Sequence, residues 1–164
     1  MTVETDIENL GVPDIELGGL QIWTHSRKYP ESKNFWDVNW LNTTFVCKAQ
    51  GASVWVSGDI FHNTEIAEWL VALENLDNTL SGEVILPTLE RYVSVKIATE
   101  TYERVSIKVD ISPERVFQRH YFEFWASQNC LKDIIEGCRR ILTKFPIEGE
   151  KPLYATESRT NQWM

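Results

Sequence analysis

Three histidines and three cysteines are the side chains of this sequence best suited to bind a metal or act as a nucleophile. They are His25, His62, His120, Cys47, Cys130 and Cys138. No two histidines have the helical or hairpin spacing of metal ligands, and no CxxC or Cys/His pattern is present. The sequence therefore predicts no metal site and no cofactor.

The cysteines are predicted to be buried free thiols in a reducing compartment. Cys130 and Cys138 fall on one predicted helix, and at ~1.5 Å rise per residue they lie ~12 Å apart along it. A disulfide needs Cα atoms within ~7 Å, so these two cannot pair there.

No catalytic constellation is predicted. The sequence has no nucleophile elbow and no phosphate-binding loop. Asp59 or Glu90 would serve as a general acid only if the fold buried it. The main hypothesis is therefore a non-catalytic binding protein. The alternative is a small-ligand-binding protein or enzyme that uses a cleft between sheet and helices.

The charge is acidic and unevenly distributed. The chain has a net charge of −8, and residues 1–26 contain five carboxylates and no Lys or Arg: Glu4, Asp6, Glu8, Asp14 and Glu16. Phosphate binding depends on Lys and Arg, so nucleic acid is not an expected partner. Two interpretations of the acidic start remain open, a solvated terminus and a contact for a basic partner.

The length of 164 residues predicts one domain. We expect an irregular acidic segment over residues 1–17, an α+β domain over 18–147 and a polar tail over 148–164, in which Trp163 has no predicted role. The start lacks the basic and apolar regions of a signal peptide. No apolar run approaches the ~20 residues of a membrane span, so a cytoplasmic location is expected. The sequence does not indicate an oligomeric state.

The hydrophobic patterns favour an α+β fold. Residues 91–98 and 104–111 alternate between apolar and polar side chains, as antiparallel strands with one wet face do. Two segments, which begin near Asn63 and Ser127, have apolar residues at helical spacing and are predicted to be amphipathic helices. Asn63 or Thr64 is the predicted N-cap of the first helix, and Ser127 is that of the second. The predicted fold is a curved antiparallel sheet of about seven strands in βββαββββα order, with two amphipathic helices on one face.

The stretch 34–41 is rich in aromatic residues just before the first long strand. Its side chains would form either an exposed platform for a sugar or peptide, or a structural cap over the open end of the sheet. We favour the cap, because bulky aromatic residues are mostly buried. In that role Asp37 and Asn39 would bond turn amides. The predicted cap consists of Phe35, Trp36, Asp37, Asn39 and Trp40.

The outward face of the sheet is the predicted partner-binding surface. Strand parity places aromatic and charged side chains there together, a mixture typical of interface hot spots. The predicted residues are Trp55, Lys96, Arg104, Lys108, Tyr121, Glu123 and Trp125. The competing interpretation is that a loop or the N-terminal segment covers them.

Several short motifs resemble one known family. Residues 35–41, Phe-Trp-Asp-Val-Asn-Trp-Leu, resemble the aromatic-Trp-Asp-Gly-Asn-Trp-Leu signature of small bacterial proteins grouped with the immunity protein of the wall-associated-protein toxin system. The likeness covers about residues 18–147 and departs from the family at Val38, where glycine is usual, and at Asn129, which replaces a small hydroxyl residue. The other motifs that carry it are Leu80-Ser81-Gly82-Glu83, Leu89-Glu90, Phe122-Glu123-Phe124, Gln128-Asn129-Cys130-Leu131 and Lys144-Phe145-Pro146.

The resemblance implies a cytoplasmic, non-catalytic protein that binds and blocks a toxin domain made by sister cells. An acidic N-terminal stretch would then steer a basic toxin by long-range attraction. A third hypothesis, a single-stranded nucleic-acid binder with bases stacked on exposed aromatics, lacks the basic groove it would need.

Overall fold

The structure, a computed structural model, describes residues 7–152, so the expectation for Trp163 lies outside the described residues. Eight strands and three helices follow one another between residues 15 and 144. They are β1 (Ile15–Leu17), β2 (Leu20–Arg27), α1 (Phe35–Val38), β3 (Trp40–Ala49), β4 (Ala52–His62), α2 (Asn63–Thr79), β5 (Glu83–Ile85), β6 (Val93–Thr99), β7 (Arg104–Ile111), β8 (His120–Ser127) and α3 (Cys130–Lys144).

The strands form two antiparallel sheets of four strands. Sheet A has the order β1-β2-β3-β4 and sheet B the order β5-β6-β7-β8. The predicted α+β class is confirmed, but the prediction of one curved sheet of about seven strands is wrong. The chain leaves β4 through α2 and begins a new sheet at β5, and no strand among residues 7–152 pairs with strands of both sheets.

Two elements lie where the sequence predicted neither strand nor helix. Strand β1 lies within the segment 1–17, and α1 occupies the aromatic stretch. Ile15 pairs with Ile22, and the Ile15 side chain packs against α3 so closely that a Cβ on Gly137 would lie 2.7 Å from Ile15 Cγ1. Three residues are too few to show a strand period, so only this long-range packing identifies β1.

One hydrophobic core joins both sheets to α2 and α3. The predicted inward side chains of β6, Val93, Val95 and Ile97, are at most 2% exposed. Ile66 and Trp69 of α2 are fully buried in the same core. Apolar side chains therefore fill the space between sheets and helices, where the alternative hypothesis placed a ligand cleft.

The helix caps differ from the sequence prediction. His62 rather than Asn63 or Thr64 caps α2: His62 Nδ1 accepts a hydrogen bond from Thr64 N at 3.3 Å, and Glu65 Oε1 accepts one from His62 N at 3.2 Å. Because Nδ1 is an acceptor, Nε2 carries the ring proton and donates to Trp36 O at 2.9 Å. A buried histidine can cap a helix in this neutral form.

The cap of α3 is Asn129, whose side chain makes no capping bond. The predicted cap Ser127 instead accepts a hydrogen bond from Asn129 N at 3.3 Å. Ser127 ends β8, so its hydroxyl lies before the first helical turn.

The aromatic stretch is anchored by burial and by hydrogen bonds. Phe35 and Val38 are buried, and Asn39 is fully buried. The turn amides of Trp36 and Asp37 donate to Asn34 Oδ1, at 2.9 and 3.2 Å, and not to Asp37 or Asn39. Asn34 thus performs the capping that the sequence assigned to its neighbours.

The two sheets meet closely where Phe124 of β8 lies over the turn between β1 and β2. A Cβ on Gly19 would lie 2.6 Å from Phe124 Cζ and 2.0 Å from the Lys48 backbone oxygen. Only glycine permits this approach, so the turn fixes the position of β8 relative to sheet A.

Candidate functional site

Strands β6, β7 and β8 present a continuous polar and aromatic surface, which we call the outer face of sheet B. Tyr121 and Trp125 are 54% and 52% exposed on it, because alternate residues of β8 point away from the core. The outer face carries six of the seven predicted partner-binding residues: Lys96, Arg104, Lys108, Tyr121, Glu123 and Trp125.

The strand register aligns three charged residues in one row across this face. Lys96 of β6 lies opposite Lys108 of β7, and Lys108 lies opposite Glu123 of β8. Lys96 also pairs with Glu83 of β5 at 3.0 Å. Lys108 makes no ion pair within residues 7–152, so its ammonium group is available to a partner carboxylate.

The aromatic side chains are held by their polar neighbours. The Arg104 guanidinium lies 5.0 Å from the centre of the Trp125 ring, a cation–π contact that orients both side chains. The Tyr121 hydroxyl donates to Glu123 Oε2 at 3.2 Å. Partial desolvation, and then the Glu123 charge, raise the pKa of Tyr121, so the phenol stays a neutral donor at physiological pH.

Trp55, the seventh predicted residue, does not share this face. It lies on β4 in sheet A and is half-buried. Within residues 7–152 the N-terminal segment does not cover the outer face of sheet B. It covers sheet A instead, where Trp23 Nε1 donates to Gly11 O at 3.1 Å and Trp23 is 7% exposed.

Three further exposed apolar residues lie in the turns at the ends of sheet B, and the sequence did not predict them as part of the site. Tyr102 lies in the β6–β7 turn, and Val116 and Phe117 lie in the β7–β8 loop, with exposures of 88%, 77% and 89%. A large apolar residue inside an otherwise polar turn was the available signal. Together with Tyr121 and Trp125 they extend the apolar surface to both ends of β8.

A polar cleft of about 670 Å³ lies elsewhere, beside α1. It is lined by Tyr29, Asp37, Trp40, Asp59, Leu89, Glu90, Arg91 and Arg115. Arg115 pairs with Glu90 at 3.6 Å and stacks on Tyr92 at 4.5 Å. The cleft brings residues from distant parts of the chain together around mixed charge.

The burial condition for acid catalysis is not met in this cleft. Asp59 is exposed, and 39% of the Glu90 side chain is accessible. Among residues 7–152 no three His, Cys, Asp or Glu side chains are grouped closely enough to hold a metal ion.

The three cysteines are free thiols of raised pKa, and one N-terminal carboxylate is hydrogen-bonded within the fold. Burial raises the pKa of Cys47 and of Cys138 to about 12 and that of Cys130 to about 11, and no disulfide joins them. Asp14, one of the N-terminal acids, accepts hydrogen bonds from Thr24 N and Oγ1 at 2.7 and 2.8 Å. Its carboxylate is therefore engaged within the fold.

Comparisons with known proteins agree with the motif resemblance. The family model described as Immunity protein WapI-like family matches residues 13–146. No curated protein and no solved structure matches the chain significantly. In the described part of the chain, no helix has both the length and the apolar character to cross a membrane.

Proposed function

The chain belongs to the WapI-like immunity protein family, and from this membership we propose that it binds and neutralises a protein toxin domain in the cytoplasm, without catalysis. The outer face of sheet B is the proposed contact surface. Family membership supplies the kind of partner, and the exposed side chains supply the means of binding it.

The observation that carries the proposal is the pairing of exposed Tyr121 and Trp125 with Arg104 on one rigid sheet face. Tyr, Trp and Arg are the residue types that dominate binding energy in protein interfaces. Their backbone is fixed by antiparallel pairing of β8 with β7, so little conformational entropy is lost when a partner binds.

Charge supports the same function at two ranges. The net charge of −8 attracts a basic toxin domain over long distances and raises the association rate. At contact, Arg104 and Lys108 form no ion pair within residues 7–152, so they can donate hydrogen bonds to carboxylates of the partner and fix its orientation.

Co-expression tests this proposal. If the neighbouring genes encode a secreted toxin, the chain is produced together with the C-terminal domain of that toxin, and the mixture is separated by gel filtration. We expect one complex, and we expect cells that carry both genes to survive induction of the toxin. Separate elution, or a gene neighbourhood without a toxin, would contradict the proposed role.

A matched pair of variants locates the surface. The double substitution Tyr121→Ala, Trp125→Ala should weaken binding by about 3 kcal/mol or more, as loss of two hot-spot residues does. The control is Val71→Ala, because Val71 is 59% exposed on α2 and also presents apolar area to solvent. Equal effects of the two changes would remove the outer face from the interface.

The alternative function, a small-ligand-binding protein or enzyme, was expected to use a cleft between sheet and helices, but apolar side chains fill that space. A site for it would instead have to be the polar cleft beside α1. The convergence of Asp37, Asp59, Glu90 and Arg91 is the observation that favours it. The double substitution Asp37→Asn, Asp59→Asn should leave toxin binding and protection unchanged if the outer face is the functional surface. Loss of protection with a folded variant would transfer the function to the cleft.

A further inference from the structure

Strand β4 has a long open edge. It runs over Ala52–His62, and in residues 7–152 it pairs with β3 alone. An edge strand presents unpaired backbone N–H and C=O groups along its free side, which is a template for pairing with another strand.

This edge lacks the features that usually protect a free strand. Residues 52–57 read Ala-Ser-Val-Trp-Val-Ser, with no charge and no proline. Natural sheets block free edges with Lys, Pro, bulges or very short strands. The pairing register of β4 with β3 shifts only after this run, between Gly58 and Phe61. The edge strands β1 and β5 are only three residues long, and β8 carries Glu123.

A groove of about 510 Å³ runs along the same edge. One wall consists of the five consecutive residues 53–57, and the other of Pro113, Gln118 and His120. Consecutive residues of a strand point to opposite faces, so one groove can touch all five only by following the strand edge. No wall residue is a lysine, an arginine, an aspartate or a glutamate.

We propose that an uncharged, extended segment of the protein partner binds in this groove as an added strand beside β4. Backbone hydrogen bonds would supply affinity, and Trp55 would contact alternate side chains of the segment. This inference rests on the proposed function and extends it. His120 of the groove wall directly precedes Tyr121 of the outer face of sheet B, so the two surfaces come close to each other at the start of β8.

Charge favours a partner over a second copy of this chain. Two copies with a net charge of −8 repel each other, whereas a basic partner is attracted. The groove itself has no acidic or basic wall residue that would repel an uncharged segment. The groove walls are also chemically different, one a strand edge and the other the β7–β8 loop with His120.

Hydrogen exchange of the wild-type chain, alone and with the toxin domain of the co-expression test, tests the proposal directly. In the complex, we expect alternate amides of residues 53–57 to exchange at least about tenfold more slowly than in the free chain. Only the amides that point outward from the edge gain a hydrogen-bond partner. A complex in which these amides keep their free rates overturns the added strand and leaves the proposed function intact. Failure to form any complex removes both.

A substitution pair provides a second readout. Ser53→Lys, Ser57→Lys places two charges at exposed positions of the edge and should weaken toxin binding roughly tenfold or more. Gln21→Lys is the control, since Gln21 lies in register with Val46 and Val46 with Trp55, two strands from the edge. Equal weakening by both, or a dimer of the chain alone with protected β4 amides, would contradict the partner assignment.

Discussion

Asn39 and Asn63 are joined by a hydrogen bond of 3.1 Å, from Asn63 Nδ2 to Asn39 Oδ1, and both side chains are fully buried. Asn39 Nδ2 also donates to the backbone oxygens of Phe35 and Glu148, at 2.8 and 2.9 Å, and its Oδ1 accepts from Glu148 N at 2.9 Å. One side chain therefore connects α1, the start of α2 and the segment after α3.

Asn39→Ala should lower the free energy of unfolding by about 3 kcal/mol, because it leaves several buried polar groups without partners. Asn42→Ala is the matched control: its side chain makes one exposed hydrogen bond, to Ser26 Oγ at 3.0 Å, and should cost less than about 0.5 kcal/mol. Urea unfolding followed by tryptophan fluorescence measures both. Similar losses would show that the buried network contributes little.

Gly19→Ala should destabilise the fold by about 3 kcal/mol, since the new Cβ would overlap the Lys48 backbone oxygen and the Phe124 ring. Gly51→Ala separates this clash from backbone strain. Gly51 has a φ of +82° with open space around it, so alanine there should cost only about 1 kcal/mol. Thermal unfolding of both variants checks the difference, and the same cost at both sites would exclude the steric contribution.

The thiols should be unreactive in the folded chain. With the pKa of Cys47 and Cys138 at about 12, almost no thiolate forms at neutral pH, and Cys130, at about 11 and partly exposed, should react first. Titration with a chromogenic disulfide reagent should count three thiols in denaturant and far slower reaction without it. Rapid modification of all three in the native chain would contradict their burial.

Stability should decrease slightly on acidification through His25. Desolvation lowers the pKa of His25 from 6.5, the nearby Lys144 adds to this, and Asp14 opposes it. The unfolded chain thus takes up the proton at a higher pH than the folded chain. The stabilisation is present above pH 6.5 and is lost as the pH falls through the folded pKa.

The size of this effect should be small, because the His25 side chain is largely exposed and solvent screens the charge. Unfolding of the wild type and of His25→Gln, compared between neutral and mildly acidic pH, isolates it. A difference between the two chains that does not change with pH would show that His25 does not titrate differently on folding.

Strands and helices were predictable where the alternation or the helical spacing of apolar residues continues over many residues. The alternation of Val93, Val95 and Ile97 identifies β6 because each strand residue reverses its direction, and the same parity placed Tyr121 and Trp125 on one outward face of β8. The division into two sheets was not predictable, since it depends on which distant strand β4 does or does not pair with. The site prediction for Trp55 depended on a single continuous sheet, and the division separates it from the other six residues.

The sequence by itself determined the α+β class, the inward and outward sides of each long strand, and the motifs that resemble the immunity family. These features depend on residues close together in the chain, because the spacing of apolar residues in a strand or helix is a local property. Only the tertiary structure decided that His62 caps α2, that Asn39 holds the segment after α3, and that the edge of β4 is left open beside His120. In each case a partner comes from a distant part of the chain: Trp36 O orients the His62 ring, Glu148 bonds Asn39, and His120 lies beside β4. These meetings follow from the packing of the whole core.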